Sequence, residues 1–271
     1  MNEPWMGDIY GQPELLVPDV AERKNLQPMY QRLNTAIRSV DQHHLVFFEP
    51  VTWDYWPVGF TEPPGGATYA NRSVLSYHVY CLGFDDDGNM TPLDWKACNF
   101  TAFEMMDFRY RDQKRLSVGG FMTEWGDIHQ DNLDSLDMLV YVSDKADKQL
   151  QSWCYWAATD VANTTKEWAL ARTYAQATAG TPISMAFNNV TSHFEFVFHL
   201  DVTIQAPTVI YLNTPVRYAN GYTVSVSPAN TLQWKPVANQ PYLLEFIPTP
   251  SAAQRYSAQP QPRVTIEIDA M

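Results

Sequence analysis

Residues 116–126 read LSVGGFMTEWG: an apolar run, two glycines, and a carboxylate at the point where the run ends. Leu116–Glu124 is too short for a buried helix, and an apolar run of this length is what a strand buried on both faces of a parallel sheet looks like. Gly119 and Gly120 leave room for a close backbone approach. Three further runs have the same character: His44–Val51 (HLVFFEPV), Ser73–Cys81 (SVLSYHVYC) and Ser152–Ala158 (SWCYWAA). Helical patterns fill the intervals. Leu33, Ala36, Ile37 and Val40 share one face of Met29–Asp41, and Phe103, Met106 and Tyr110 share one side of Asn99–Lys114. Leu133–Leu150 and Lys166–Tyr174 supply two more helices. Alternating strand and helix predicts a parallel sheet with helical crossovers.

Spacing selects the architecture. Strand ends near Glu3, Glu49, Tyr80, Glu124 and Trp156 lie 46, 31, 44 and 32 residues apart, at or above the ~31 residues per unit of a (β/α)8 TIM barrel. The longer intervals are those with long loops. A doubly wound sheet would space its strands similarly, but neither G-x-G-x-x-G nor a P-loop occurs. Near Gly180 the pattern switches to period two. Phe194–Leu200 alternates as FEFVFHL, and Pro207–Leu212, Tyr222–Val226, Thr231–Trp234, Tyr242–Ile247 and Val264–Ile268 are short runs set apart by Pro, Asn and Gly, with no helical segment among them. The reading is α/β plus all-β. Residues 1–178 are expected to be the C-terminal portion of a (β/α)8 barrel, strands four to eight, and residues 179–271 an antiparallel β-sandwich.

The 271 residues are 45% apolar and 18% charged, enough for two domains with cores. No apolar run approaches the ~18–20 residues needed to cross a bilayer. A net charge of −12 argues against nucleic acid as a partner. Aromatic content of 14% suits sugar recognition, in which ring faces meet the C–H faces of pyranoses. The opening MNEPWMG lacks the basic and apolar regions of a signal peptide. Sequons at Asn71, Asn99, Asn163 and Asn189 nevertheless point to a secreted or lysosomal/endomembrane route. So do Cys81 and Cys98, near enough in sequence to close one loop as a disulfide at a gain of roughly 3 kcal/mol. Cys154 is then expected as a buried free thiol. The acidic run Asp85–Asn89 lacks the spacing of a calcium loop, so no metal and no other cofactor is expected.

Two strand-end carboxylates in one barrel mouth are what glycoside hydrolysis requires. One protonates the leaving oxygen, and the other, roughly 5–5.5 Å away, attacks the anomeric carbon when configuration is retained. Asn2-Glu3-Pro4, His78-x-Tyr80, Thr123-Glu124-Trp125-Gly126 and Trp156 stand at the strand ends, with His78 and Tyr80 on one face by period two. These motifs, NEPW, H-x-Y, TEWG and the Trp of YWAATD, resemble the glycoside hydrolases of family five. More narrowly, NEPWMGDIY, FFEPVTW, SYHVYC and GFMTEWGD, with an appended sandwich, resemble the endoglycoceramidases across essentially the whole chain.

The resemblance implies hydrolysis of the β-glycosidic bond between oligosaccharide and ceramide. It makes Glu3 the acid/base and Glu124 the nucleophile, with Asn2 on the substrate 2-hydroxyl. Tyr80 would bond the nucleophile, His78 would stand beside it, and Trp156 would form the platform under the reacting sugar. Trp53, Tyr55, Trp56 and Phe60 either line a slot for the lipid or simply pack their loop, Trp125 is expected to flank the site, and Glu49 to take a structural or loop-ordering role. The resemblance also implies three strands and most of a fourth ahead of Asn2, so the chain is expected to be an N-terminally truncated fragment. The expected partner is a glycosphingolipid, with peripheral membrane contact and a monomeric state. Two rival readings stand beside this one: another retaining β-glycosidase of the family, such as a steryl glucosidase or β-glucanase, and a non-catalytic carbohydrate- or membrane-binding remnant.

Overall fold

A computed structural model of the chain describes residues 2–271 except 53–55, 81, 85–89, 93–94, 127–132, 163 and 259, without the side chains of 82–84, 90–92, 95–101, 133–135 and 160. It divides into two compact units, Met1–Gln130 with Gln151–Ala158, and Asp131–Leu150 with Thr159–Met271. No described helix is long and apolar enough to cross a membrane.

In the first unit, helix α1 (Gln27–Arg38) leads to strand β1 (Val46–Phe48) and strand β2 (Ser73–Tyr80), followed by a short antiparallel pair, β3 (Leu82–Phe84) and β4 (Met90–Pro92). Helix α2 (Trp95–Leu116) then leads to β5 (Gly119–Gly126), and β6 (Ser152–Trp156) closes the unit. The order β1-β2-β5-β6 is sequential and every neighbouring pair is parallel. A doubly wound sheet would reverse its strand order; an arc that never reverses is a barrel wall. The two glycines make room for a side chain rather than a backbone: a Cβ at Gly120 would come within 2.0 Å of the Gln113 amide, which α2 holds against Gln151, while one at Gly119 would meet only ordinary contact at 3.7 Å.

Three expectations change in this unit. Asn2–Pro4 is not a sheet strand. Glu3 has φ 48°, which breaks an extended chain, and its backbone is held by no strand ladder: the Glu3 N–H donates to the Glu49 side chain and the Pro4 carbonyl accepts the Thr52 N–H at 3.0 Å. Helix α1 turns the other way from its apolar stripe. It buries Tyr30, Asn34 and Arg38, while Leu33, Ile37 and Val40 stay exposed. The polar face wins because it finds partners: Arg38 donates to the carbonyls of Asp41, His44 and Arg72 and lies 4.8 Å from the Tyr69 ring centroid. Cys154 is exposed, since β6 has a single neighbouring strand among the described residues and alternates its side chains toward solvent.

The second unit contains helices α3 (Leu133–Lys148) and α4 (Thr165–Leu170) and two four-stranded antiparallel sheets. Its strands are β7 (Tyr174–Ala177), β8 (Gly180–Phe187), β9 (Phe194–Leu200), β10 (Thr208–Tyr211), β11 (Tyr222–Ser227), β12 (Leu232–Val237), β13 (Gln240–Pro248) and β14 (Arg263–Ala270). The sheets run β12-β13-β10-β7 and β11-β14-β9-β8, and alternate residues of β9, β10, β13 and β14 meet in one core built on Phe194, Phe196, Phe198, Ile210, Phe246 and Ile266. Tyr174 is Tyr211's cross-strand partner, so the segment expected to finish a barrel helix belongs to the sandwich instead, and the 178/179 boundary falls inside this unit. Two short helices were also not foreseen, α5 (Thr214–Arg217) and α6 (Pro250–Tyr256). Both begin with a capping oxygen followed by Pro: Asn213 accepts from the Val216 N–H and Thr249 from the Ala252 N–H. Arg172 is buried and grips α3 through Asp144 and Asp147, each at 2.6 Å. Asn189 is buried as well. Its Nδ2 donates to the Ala169 carbonyl at 3.2 Å and its Oδ1 accepts from Arg217, so this sequon offers no free amide to a glycan.

Candidate active site

Parallel register brings the site together. His78 stands opposite Glu124, Tyr80 opposite Gly126, and Gly126 opposite Trp156, so the ends of β2, β5 and β6 form one row. Gly126 sits at φ 139°, and a Cβ there would lie 2.4 Å from the Trp156 carbonyl oxygen; TEWG needs its glycine for strand closeness. His78 and Tyr80 point to the same side with their rings nearly perpendicular, 6.4 Å between centroids. Tyr80 donates its O–H to Glu124 Oε2 at 3.0 Å.

Glu3 arrives from outside the sheet. Its Oε1 lies 2.9 Å from His78 Nδ1, and the same nitrogen is 3.4 Å from Glu124 Oε2. One imidazole nitrogen therefore faces both carboxyl groups. The three donor atoms all lie within 4.8 Å of one another. Among the described residues these are the groups that could hold a cation, and two carboxyl groups this near one another can also act on one anomeric carbon. A double displacement between two carboxyl groups draws on no cofactor.

The other anticipated residues divide. Asn2 precedes Glu3 on an exposed stretch, and Trp156 is exposed at the end of β6 beside the row. Trp56 is exposed beside Met6, Leu16, Val17 and Val51. Phe60, expected in the same apolar slot, is instead in the core, its ring edge-on to Phe48 at 5.3 Å and Tyr30 at 6.0 Å. Trp125 does not flank the site either: it is buried beneath it, packed edge-on against Trp153 and Tyr155. Period two explains this, since Glu124 and Trp125 must point to opposite faces of β5. Trp53, Tyr55, Cys81, the Cys98 side chain, Asn163, the Asn99 side chain and the acidic run Asp85–Asn89 lie outside the described residues. Asn71 is exposed.

Sequence reading missed a charged stripe on α2. Arg109, Asp112 and Arg115 recur every three residues, and all three reach the loop that carries Trp56. Arg109 donates to the Trp56 carbonyl at 2.7 Å, Asp112 accepts the Val58 N–H at 2.9 Å, and Arg115 donates to the carbonyls of Phe60 and Val58 at 2.7 and 2.9 Å. Arg109 also lines the pocket that holds Glu3, Glu49, His78 and Tyr80. The i, i+3, i+6 spacing of opposite charges was the available signal.

Residues 172–255 match the glycoside hydrolase family 5 C-terminal domain. The endoglycoceramidase of Cyanea nozakii is 36% identical over 267 residues, covering 88% of this chain and 48% of that protein. The endoglycoceramidase of Hydra vulgaris is 38% identical over 252 residues, covering 84% of this chain and 44% of that one. The chain thus spans about half the length of the curated relatives it matches. Among solved structures, endo-glycoceramidase II from Rhodococcus sp., in complex with the ganglioside GM3, superposes with a TM-score of 0.74 at 21% identity, covering 100% of this chain and 58% of that one; it has the same fold. Residues 1–161, more than half the chain and the part that holds the carboxylate pair, match the family Cellulase (glycosyl hydrolase family 5), and the chain belongs to that family.

Proposed function

We propose that the protein carrying this chain hydrolyses the β-glycosidic bond between oligosaccharide and ceramide in glycosphingolipids, with retention of configuration. The observation that carries the reading is the carboxylate pair: an oxygen of Glu3 and an oxygen of Glu124 within 4.8 Å of one another across His78. An inverting enzyme needs a water between its carboxyls and holds them ~6.5–9.5 Å apart; the retaining spacing is ~5–5.5 Å. Glu124, held by Tyr80, attacks the anomeric carbon. The bond to the ceramide oxygen breaks, and Glu3 delivers its proton to that oxygen. Water then attacks the same carbon, gives its proton to Glu3, and the bond to Glu124 breaks. Asn2 beside Glu3 serves the sugar 2-hydroxyl and Trp156 the sugar face. The names of the relatives support ceramide as the leaving group, and the exposed Trp56 beside Met6, Leu16 and Val17 supports an apolar aglycone. A secreted or lysosomal setting, peripheral membrane contact and a monomeric state belong to the same reading.

The test compares release of intact oligosaccharide from a glycosphingolipid with cleavage of a soluble cello-oligosaccharide by the full chain. Preference for the lipid is expected. Preference for the soluble substrate would sink the ceramide assignment and leave another retaining β-glycosidase of the family. Hydrolysis that survives Glu3→Gln and Glu124→Gln would sink the catalytic pair itself.

A further inference from the structure

Three carboxylates, not two, converge on His78. Glu49 follows Phe48 at the end of β1 and is buried. Its Oε1 accepts the main-chain N–H of Glu3 at 3.3 Å and lies 3.6 Å from His78 Nε2, with the two side chains only 6% and 7% exposed. Among the described residues that Nε2 has no hydrogen-bond partner, and Glu49 Oε1 is the carboxylate facing it. Glu49 therefore meets both ends of the Glu3–His78 contact: the backbone of one residue and the far ring nitrogen of the other.

The Glu49 backbone is itself anchored. The Tyr30 hydroxyl donates to the Glu49 carbonyl and accepts the Glu49 N–H, both at 3.1 Å, which clips this backbone to α1. Three residues on, Thr52 N–H holds the Pro4 carbonyl at 3.0 Å. Residues 49–52 thus grip residues 3–4 from both sides. Glu3 needs that grip, because its φ of 48° is left-handed, a conformation a non-glycine residue keeps only where its surroundings over-determine it.

We infer that Glu49 is the positioning residue of the acid/base, fixing the Glu3 backbone and the His78 ring so that the Glu3 carboxyl stays aimed between His78 and Glu124. This rests on the reading of Glu3 as acid/base. The loop-ordering role expected from sequence is the alternative, and leaving-group chemistry separates them. An alkyl glycoside cannot lose its alkoxide unless Glu3 protonates the oxygen as the C–O bond breaks. A dinitrophenolate leaves with the electron pair and needs no proton. A loop-ordering loss lowers kcat/KM for both substrates alike, whereas a misaimed acid lowers it only for the alkyl glycoside.

In the full chain, Glu49→Leu is expected to lower kcat/KM for an alkyl β-glycoside by about 100-fold, the low end of general acid catalysis, and for the dinitrophenyl β-glycoside by less than about threefold. Azide, which attacks the glycosyl-enzyme without a base, should restore kcat on the dinitrophenyl substrate. Glu49→Gln keeps an acceptor oxygen in place, while Glu49→Asp keeps the charge but withdraws it by one methylene. Position rather than charge predicts that Asp loses more than Gln, and this ordering decides the matter even if the Leu variant does not fold. Equal losses on both substrates, or a Gln variant worse than Asp, would overturn the inference. Glu3→Gln serves as the reference: if it lacks the leaving-group split, the acid/base assignment fails first, independently of Glu49.

Discussion

Along β9 of the sandwich, Phe194, Phe196, Phe198 and Leu200 are each no more than 1% exposed; along α1 and its end in the barrel unit, Leu33, Ile37 and Val40 are 47, 38 and 87% exposed. Both segments carry a clean apolar period in the sequence, yet only one buries it. A strand in a sandwich has its facing layer within the same unit, so period two translates directly into a core. A helix on a barrel wall answers to whichever face finds partners, and in α1 the polar face has them: Tyr30 on the Glu49 backbone and Arg38 on three carbonyls. In the barrel unit α1 adds polar anchoring around the site to an apolar core that includes Phe48 and Phe60; in the sandwich β9 adds apolar area.

The largest effect that would test this contrast lies in the chemistry. Glu124→Gln should abolish glycosidase activity of the full chain by roughly 10⁴-fold or more while leaving the melting temperature within a few degrees, because it removes a nucleophile and no core contact. Residual activity within about tenfold of the parent would remove Glu124 from the reaction.

Next come the cores. Phe198→Ala opens a cavity between the sandwich sheets and is expected to cost about 3–5 kcal/mol, read by denaturant unfolding of the second unit. Leu33→Ser on α1 should cost under about 0.5 kcal/mol, the ordinary range for an exposed position. If Leu33→Ser destabilises as strongly as Phe198→Ala, the exposed stripe is covered in solution and the contrast between the units disappears.

The aromatic loop repeats the contrast on a smaller scale. Phe60→Ala should cost about 3–5 kcal/mol as a core substitution. Trp56→Ala should leave stability within about 0.5 kcal/mol and raise KM for a glycosphingolipid more than for a soluble glycoside. Equal KM changes on both substrates would detach Trp56 from aglycone recognition.

How much was legible beforehand follows the same division. The sandwich could be read because alternation and burial are one signal there, although its two short helices were missed where Asn213 and Thr249 cap proline-led turns. The site row His78, Tyr80, Glu124 and Trp156 could be read because strand ends carry it. Glu3 was singled out by its motif and expected on the sheet, whereas φ 48° places it off the sheet. The aromatic loop could not be read because aromatic composition is the same for a core plug and a lipid contact; in the structure Phe60 packs on Phe48 and Tyr30 while Arg109, Asp112 and Arg115 hold the backbone of Trp56, Val58 and Phe60. The importance of Glu49 was hidden too, because a contact to the backbone of a residue 46 positions away leaves no pattern in sequence.

The smallest effect concerns Glu49 and runs opposite to activity. Burial raises its pKa above the ordinary 4.5, and the nearby His78 only partly opposes this. Between 4.5 and the raised value the unfolded chain has released the proton that the native state still holds, so stability falls as pH rises through that window. Glu49→Gln has no proton to release. The variant should match the parent in melting temperature below pH 4.5, exceed it progressively above, and hold a constant advantage once the parent's carboxyl is fully ionised. A melting difference that is flat with pH would mean that the carboxyl carries no such penalty. A rising difference, together with a loss of acid-dependent turnover in Glu49→Asp, would mark Glu49 as a charge that the barrel unit tolerates at the expense of its own stability because Glu3 has to be aimed.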